Sequence, residues 1–207
     1  MDEIRISAGD VVLPGNLSIP PDAHSLVIFS HGSGSSRFSP RNNYVAGVLN
    51  KHGAATLLVD LLTPEEDVIY ENRFNIDLLT DRLSSVVDFA HALPELQNLK
   101  IGLFGASTGA ASALQAAANR PKLISAVVSR GGRPDLAKGL ELVMAPTLLI
   151  VGSLDDVVIE LNDEAFEQLR CVKKMRTVEG ATHLFEEPGT LEEVARLAAD
   201  WFQKHLK

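Results

Sequence analysis

The feature that most constrains the fold is a short motif in the middle of the chain. Residues 101–104 form an apolar run, the next five read Gly105-Ala106-Ser107-Thr108-Gly109, and an Ala-rich segment follows over residues 110–118. The pattern predicts a strand that turns sharply into a helix, with glycines where the backbone crowds itself. A Gly-x-Ser-x-Gly motif between a strand and a helix is typical of a nucleophilic serine exposed at the strand end.

The motif predicts what must surround Ser107. A serine hydroxyl is a weak nucleophile unless a base lies within hydrogen-bond reach and donors stabilise the oxyanion. The Thr108 amide, directly after the serine and at a helix N-terminus, is the first expected donor. In isolation the pentapeptide also fits a turn without chemistry, so the interpretation depends on the rest of the chain.

Strand-like and helix-like segments alternate along most of the sequence. The predicted strands cover residues 26–30, 55–60, 101–104, 124–129, 147–151 and 175–178. The predicted helices cover residues 43–50, 75–92, 110–118, 136–143 and 163–170, with Asp135 and Asn162 as N-caps of the last two, and a final helix starts at Thr190 in a capping box with Glu193. Continuous apolar strands are typical of parallel sheets buried on both faces.

This alternation predicts an α/β fold with a doubly wound, mostly parallel sheet flanked by helices. An antiparallel hairpin is expected at the N-terminus, where residues 11–13 and 17–19 flank a turn at Pro14-Gly15-Asn16. The segment between Arg130 and Thr147 has room for one helix but not for a cap domain. We therefore expect residues 1–207 to form a single domain with an open site.

Composition and charge argue against several classes of function. A net charge of −8 disfavours a general nucleic-acid surface, and no apolar stretch approaches the ~20 residues of a membrane span. The polar N-terminus lacks the features of a signal peptide, and a single cysteine, Cys171, fits a reducing compartment. The six histidines lack ligand spacing. We expect a soluble cytoplasmic protein without metal, cofactor, membrane or nucleic-acid partner; its oligomeric state is open, with a homodimer among the alternatives.

Two loops after Ser107 carry candidates for the remaining catalytic groups. The motif resembles that of the α/β-hydrolases, and the resemblance implies that an acid and then a histidine follow the serine along the chain. Asp155 and Asp156 follow the strand at 147–151, and His183 follows the last predicted strand. His183 is the expected general base, held by a carboxylate. Asp155 is favoured because it is nearer the strand end, and Asp156 remains the alternative.

A second oxyanion donor is expected from the loop after residues 26–30, which reads His31-Gly32-Ser33-Gly34. Its glycines allow a backbone amide to point inward, and the Ser33 amide is the predicted donor. His31 is expected to brace the loop rather than to act as a second base.

Together these segments resemble the α/β-hydrolase superfamily and, within it, the dienelactone hydrolase-like branch. The resemblance runs from about Val11 to Leu206 and rests on the loop at residues 31–34, the motif at 105–109, Gly152-x-x-Asp155 and Gly180-Ala181-Thr182-His183. It implies the α/β-hydrolase fold and a cofactor-independent hydrolase. True dienelactone hydrolases carry a cysteine at the position of Ser107, and this difference favours ordinary ester hydrolysis. Cys171 is expected to be a packing residue.

Several arginines fall in predicted loops near the carboxyl ends of strands. Arg37 and Arg41 follow the oxyanion loop, Arg130 and Arg133 follow the strand at 124–129, and Arg73 precedes a long helix. Guanidinium groups suit bidentate recognition of carboxylates. They either bind an anionic part of the substrate or brace loops through Asp60, Asp135 or backbone carbonyls.

The leading functional hypothesis is a carboxylesterase-like serine hydrolase acting through an acyl-enzyme on Ser107. Its partner would be a small ester, and the arginines leave an anionic ester open; thioesters and lactones are close variants. Two alternatives are a small peptidase and a non-catalytic ligand-binding protein of the same fold, because a fold does not establish a function. The presence of every expected triad residue favours an enzyme.

Overall fold

The computed structural model describes all residues from 1 to 207. Its strands are β1 Asp2–Ala8, β2 Val11–Ser18, β3 Ser25–Ser30, β4 Ala54–Val59, β5 Lys100–Ala106, β6 Ile124–Arg130, β7 Thr147–Gly152 and β8 Lys173–Val178. Its helices are α1 Pro40–Lys51, α2 Pro64–Asp67, α3 Ile76–Ala92, α4 Thr108–Asn119, α5 Asp156–Gln168 and α6 Thr190–His205. Short 3-10 turns lie at Tyr70–Phe74, Pro134–Leu136 and Leu140–Leu142.

The eight strands form one sheet in the order β1-β2-β4-β3-β5-β6-β7-β8. β1 and β2 pair antiparallel, as do β2 and β4, whereas every pair from β4 across to β8 is parallel. The predicted mostly parallel α/β fold is therefore confirmed. Because the parallel strands share one direction, the loops after β3, β5, β6, β7 and β8 meet at a single edge, where open α/β sheets place their sites.

Helices cover both faces of the sheet. α1 and α6 pack on one face around Trp201 and Phe202, and α3 and α4 pack on the other. Gly102 of β5 is required by this packing, because a Cβ there would lie 2.7 Å from Cε1 of Phe202. The small side chains of α4 bring that helix close to the sheet, which holds its N-terminus directly behind the end of β5.

The N-terminal hairpin is present, but the predicted turn at Pro14-Gly15-Asn16 is wrong. β2 continues through these residues and pairs with β1, a strand absent from the prediction, and the turn lies at Gly9 (φ 66°) and Asp10. The Pro14 carbonyl accepts the Asp60 amide on the β4 side of β2, just beyond the last residue pair between these strands. The missing N–H of Pro14 faces the same side, where β4 has ended, so the sheet loses no hydrogen bond there.

The helix predicted over residues 136–143 is also wrong. Two 3-10 turns occupy this segment, and Gly139 between them has a φ of 73°, a left-handed conformation that interrupts helical hydrogen bonding. β6 and β7 are therefore joined without an α-helix. Asp135, the predicted cap, accepts from the Arg133 side chain.

The starts of α5 and α1 differ from the prediction, whereas α6 begins at Thr190 as predicted but without its capping box. α5 begins at Asp156, and Asn162, the predicted cap, is buried inside it with its amide donating to Gly132 O and Val158 O. The capping box at Thr190 is absent, because Gly189 precedes α6 and the Thr190 hydroxyl donates to the Glu187 carbonyl instead. α1 begins at Pro40, earlier than predicted, because the Ser39 side chain caps it.

Candidate active site

The turn between β5 and α4 has the strained geometry that the motif predicts. Ser107 has φ 51° and ψ −124°, a combination that costs a residue with a side chain about 1–3 kcal/mol. A Cβ on Gly105 would lie 2.4 Å from the Cα of Ala110, and one on Gly109 would lie 2.2 Å from the Ser30 carbonyl oxygen. Both glycines are therefore needed by the backbone, and the strain falls on the serine.

Ser107, Asp155 and His183 are brought together from the loops after β5, β7 and β8. His183 Nδ1 lies 2.7 Å from Asp155 Oδ2, and His183 Nε2 lies 3.4 Å from Ser107 Oγ. With the Nδ1 proton donated to the carboxylate, Nε2 is the acceptor that faces the serine hydroxyl. The second distance is long for a hydrogen bond, as is common in sites without bound substrate.

Of the two adjacent aspartates, only Asp155 reaches the imidazole. Its side chain is 16% exposed, and its backbone lies just before α5. Asp156 is the first residue of that helix and faces solvent.

The loop that carries His183 is held on both sides by contacts that the sequence analysis did not identify. The Thr182 amide and hydroxyl both donate to the Glu187 carboxylate, and these bonds lower the pKa of Glu187. A Cβ on Gly152 would lie 2.3 Å from the Ala181 carbonyl oxygen, so the loop passes directly over β7. Phe185 anchors the loop in the core with a positive φ of 55°. Gly152 in the Gly-x-x-Asp spacing was the only sequence signal of this arrangement.

The predicted oxyanion loop lies against the N-terminus of α4. Thr108 is the first residue of that helix, so its amide has no acceptor within the helix. The Ser33 amide donates to Thr108 Oγ1 at 2.9 Å. His31 Nδ1 lies 3.0 Å from the Gly32 carbonyl oxygen, which belongs to the same peptide group as the Ser33 amide. His31 thus braces the loop.

Four of the five arginines are engaged by carboxylates of their own chain, Arg41 through Glu186. Arg37 forms an ion pair with Asp60, Arg133 binds Asp135 through two nitrogens at 2.9 and 2.8 Å, and Arg73 binds Asp67 in the same way. These contacts correspond to the bracing alternative rather than to substrate binding.

Arg130 has no such partner. It ends β6, is 7% exposed, forms no ion pair, and its Nε and Nη1 are buried without a hydrogen bond. Its guanidinium lies 5.8 Å from the centre of the Phe185 ring. Burial, together with the nearby charge of Arg41, lowers the pKa of Arg130 to about 10. Arg41 itself donates through Nη1 to Glu186 at 2.9 Å, while its Nε is buried without a partner.

No group of three or more His, Cys, Asp or Glu side chains is arranged to hold a metal ion. Cys171 is half-buried and packs against the core. No helix combines the length and the apolar character needed to cross a bilayer.

Comparison with known sequences and structures places this geometry in a family. The profile of the dienelactone hydrolase family matches residues 45–207. The crystal structure of a dienelactone hydrolase from Anabaena variabilis has 54% sequence identity and a TM-score of 0.96, and the match covers 100% of this chain and 99% of that one. The chain belongs to the dienelactone hydrolase family.

More distant structures share the fold of this dienelactone hydrolase family member. Est1E from Butyrivibrio proteoclasticus superposes with a TM-score of 0.83 at 20% identity, with 98% of each chain covered. The family resemblance drawn from the sequence is thus confirmed. Family membership rests on the profile match and the Anabaena variabilis structure, and these distant neighbours show the shared fold alone.

A curated relative carries a different name. A Mycobacterium tuberculosis (strain H37Rv) protein named "putative phosphoribosyl transferase" is 54% identical over 206 residues, which are 99% of this chain and 46% of that protein. The dienelactone hydrolase family member described here thus spans about half the length of the curated relatives it matches.

Proposed function

We propose that this protein is a carboxylesterase-like serine hydrolase that cleaves small esters through an acyl-enzyme on Ser107. The observation that carries the proposal is the run of contacts from Asp155 to His183 to Ser107, with distances of 2.7 and 3.4 Å. A carboxylate, an imidazole and a serine hydroxyl in this order form the arrangement that activates a serine.

In the first half of the reaction, Ser107 Oγ attacks the ester carbonyl carbon while His183 Nε2 takes the hydroxyl proton. The carbonyl oxygen becomes an oxyanion, which the Thr108 amide at the N-terminus of α4 stabilises. Asp155 holds the imidazole in the required tautomer and stabilises the imidazolium. The carbon–oxygen bond then breaks, and His183 returns the proton to the departing alkoxide.

In the second half, water attacks the acyl-enzyme carbonyl and loses a proton to His183 Nε2. The second oxyanion collapses, Ser107 Oγ leaves with that proton, and the carboxylic acid is released. Ser107 and His183 are both partly exposed, and the short turns between β6 and β7 form no cap. This openness supports a small substrate, with thioesters and lactones as related classes.

We further propose that Arg130 favours an anionic substrate; Arg41 is already paired with Glu186. A buried guanidinium without a counter-charge is costly, and a carboxylate oxygen would supply its missing partner. Arg37 and Arg133 are not part of this subsite, since Asp60 and Asp135 already neutralise them.

The core proposal is tested with short-chain 4-nitrophenyl esters and a fluorophosphonate probe. We expect the wild type to turn over the ester and to carry the label on Ser107, and Ser107→Ala to lose both. A folded wild type that neither reacts nor is labelled would instead favour a ligand-binding protein, and selective cleavage of peptides would favour a peptidase.

The anionic preference is tested with a matched pair of substrates, 4-nitrophenyl butyrate and 4-nitrophenyl hemisuccinate. Arg130→Met should lower kcat/KM for the carboxylated ester by about 10- to 100-fold, because a hydrogen bond to a charged group contributes about 1.5–3 kcal/mol. The neutral ester should be unaffected. Arg133→Met, which removes a paired arginine, is the control, and an equal effect of both variants would refute the subsite.

The transferase name of the mycobacterial relatives belongs to proteins more than twice as long as the shared region. The contacts that support a hydrolase, from Asp155 to His183 to Ser107, lie within that shared region. Transfer of a phosphoribosyl group by this chain has no supporting feature among the residues described.

A further inference from the structure

The side chain of Thr108 binds the Ser33 amide, the second of the two predicted oxyanion donors. Its hydroxyl oxygen accepts the Ser33 amide at 2.9 Å, and no other hydrogen bond of the structure uses this atom. Thr108 is 3% exposed, so solvent does not satisfy the hydroxyl. The Ser33 amide, expected to face the oxyanion directly, is therefore already engaged.

This arrangement leaves the Thr108 hydroxyl with one unused proton. A threonine hydroxyl carries a single donor and two acceptor positions. Since the oxygen accepts from Ser33, its own proton is free to be donated, and a buried donor without a partner costs about 1–3 kcal/mol. A bound ligand that brings an acceptor would remove this cost.

The surroundings provide room for an acceptor of the size of one oxygen atom. A cavity of about 10 Å³, close to the volume that one water molecule requires, is lined by Gly32, Ser33, Gly34 and Thr108 together with the ion-paired Asp67 and Arg73. Gly32 borders the serine itself, since a Cβ there would lie 3.0 Å from the Cβ of Ser107. The contact of His31 with the Gly32 carbonyl fixes the peptide that donates to Thr108.

We propose that the Thr108 hydroxyl is a direct oxyanion donor, and that the Ser33 amide acts through it. When Ser107 attacks, the carbonyl oxygen gains negative charge and accepts two hydrogen bonds, one from the Thr108 amide and one from Thr108 Oγ1. No proton is transferred. The Ser33 amide polarises the hydroxyl by donating to its oxygen, and hydrogen bonds in such a series strengthen one another.

This inference rests on the proposed function and assigns a catalytic side chain to it. Thr108→Val removes the hydroxyl and keeps the shape, so we expect kcat to fall by about 100-fold, the loss typical of one oxyanion donor, with little change in KM. Thr108→Ser keeps the hydroxyl and should remain within about fivefold of the wild type, because the donor that stabilises the transition state is retained.

A trifluoromethyl ketone with a short acyl chain supplies the second readout. Its tetrahedral adduct with Ser107 places an oxyanion where the substrate oxyanion would lie. Thr108→Val should therefore raise the inhibition constant of the ketone by a factor similar to the loss in kcat. If the Thr108 hydroxyl had only a structural role, Thr108→Val would lower the melting temperature without changing the inhibition constant of the ketone. The control is Thr80→Val, which removes another buried, unpaired hydroxyl from α3 and should leave both constants unchanged.

Three results would overturn the inference. An unchanged kcat in Thr108→Val would mean that a bound water satisfies the hydroxyl, and a raised kcat would mean that the hydroxyl blocks the Ser33 amide. Unchanged binding of the ketone would exclude contact with the oxyanion. Failure of the proposed function appears separately, as esterase activity retained in Ser107→Ala or the absence of a label on Ser107, and the inference would fall with it.

Discussion

The unpaired charge of Arg130 leads to a quantitative prediction about stability. In the folded protein, burial and the charge of Arg41 lower the pKa of Arg130 from its usual value to about 10. One pKa unit corresponds to about 1.4 kcal/mol, so the charged guanidinium destabilises the fold by roughly 3 kcal/mol. Because the folded-state pKa lies below the unfolded value, this cost is fully present at neutral pH and fades only above about pH 10.

Arg130→Met replaces the guanidinium beside the Phe185 ring by an unbranched apolar chain. The variant loses the cation–π contact, which contributes about 0.5–2 kcal/mol, so we expect a net stabilisation of about 1–2 kcal/mol. For a protein of this size, each kcal/mol raises the melting temperature by about 2–4 °C. Urea unfolding and calorimetry at neutral pH in an anion-poor buffer measure the two quantities.

A matched control is available in Arg37→Met. Arg37 is similarly shielded but pairs with Asp60, whose side chain is 18% exposed. Its removal leaves that partly buried carboxylate with the Arg37 backbone amide but without a counter-charge from the guanidinium, and should destabilise the protein by about 3 kcal/mol. The reasoning would be refuted if Arg130→Met were as destabilising as Arg37→Met, because a hidden counter-charge or ordered water would then already satisfy Arg130.

Other predictions follow from the turn, the acid and the buried amide. In urea unfolding, Gly109→Ala should destabilise the protein by at least about 3 kcal/mol, because the new Cβ would collide with backbone atoms. Gly47→Ala on α1, where nothing lies within 4 Å of the new Cβ, should stabilise the protein by up to about 1 kcal/mol. Equal effects of the two variants would contradict the packing argument. Asp155→Asn should lower kcat on a 4-nitrophenyl ester by about 10³- to 10⁴-fold. Asp156→Asn should change kcat less than about threefold, because an exposed charge at a helix N-terminus contributes about 0.3–1 kcal/mol. The reverse order of effects would make Asp156 the carboxylate that holds His183. Asn162→Ala should cost about 1–3 kcal/mol in urea by leaving the Gly132 carbonyl unpaired, and an unchanged midpoint would show that water replaces the amide.

The candidate site could be located from the sequence because local chemistry and chain order specify it. Gly105 and Gly109 are required because the backbone is crowded within a few residues of the turn. His183 follows the last strand of the sheet, and that loop lies at the same sheet edge as Ser107. The same local logic predicted the parallel strands, whose apolar runs are a property of the segments themselves. The three residues that the sequence predicts, Ser107, Asp155 and His183, are joined by contacts of 2.7 and 3.4 Å in the structure.

The errors arose where long-range contacts override local patterns. The sequence does not predict β1, because this strand is stabilised by its pairing with β2 in the assembled sheet. Pro14 has the composition of a turn, yet it lies within β2 at a position where β4 has ended and no N–H is needed. Asn162 has the composition of a helix cap, yet its amide is satisfied by the Gly132 carbonyl from a different loop.

The sequence by itself determined the fold class, the position of the candidate nucleophile Ser107 and the chain order of its expected partners, because these depend on periodicity and on backbone geometry within short segments. Only the tertiary structure decided which aspartate meets His183, which arginines are neutralised and which is left buried alone, and that the Thr108 hydroxyl takes the Ser33 amide. Those outcomes depend on distances between residues far apart in the chain, and hydrogen bonds and ion pairs act only over the few ångströms that folding alone establishes.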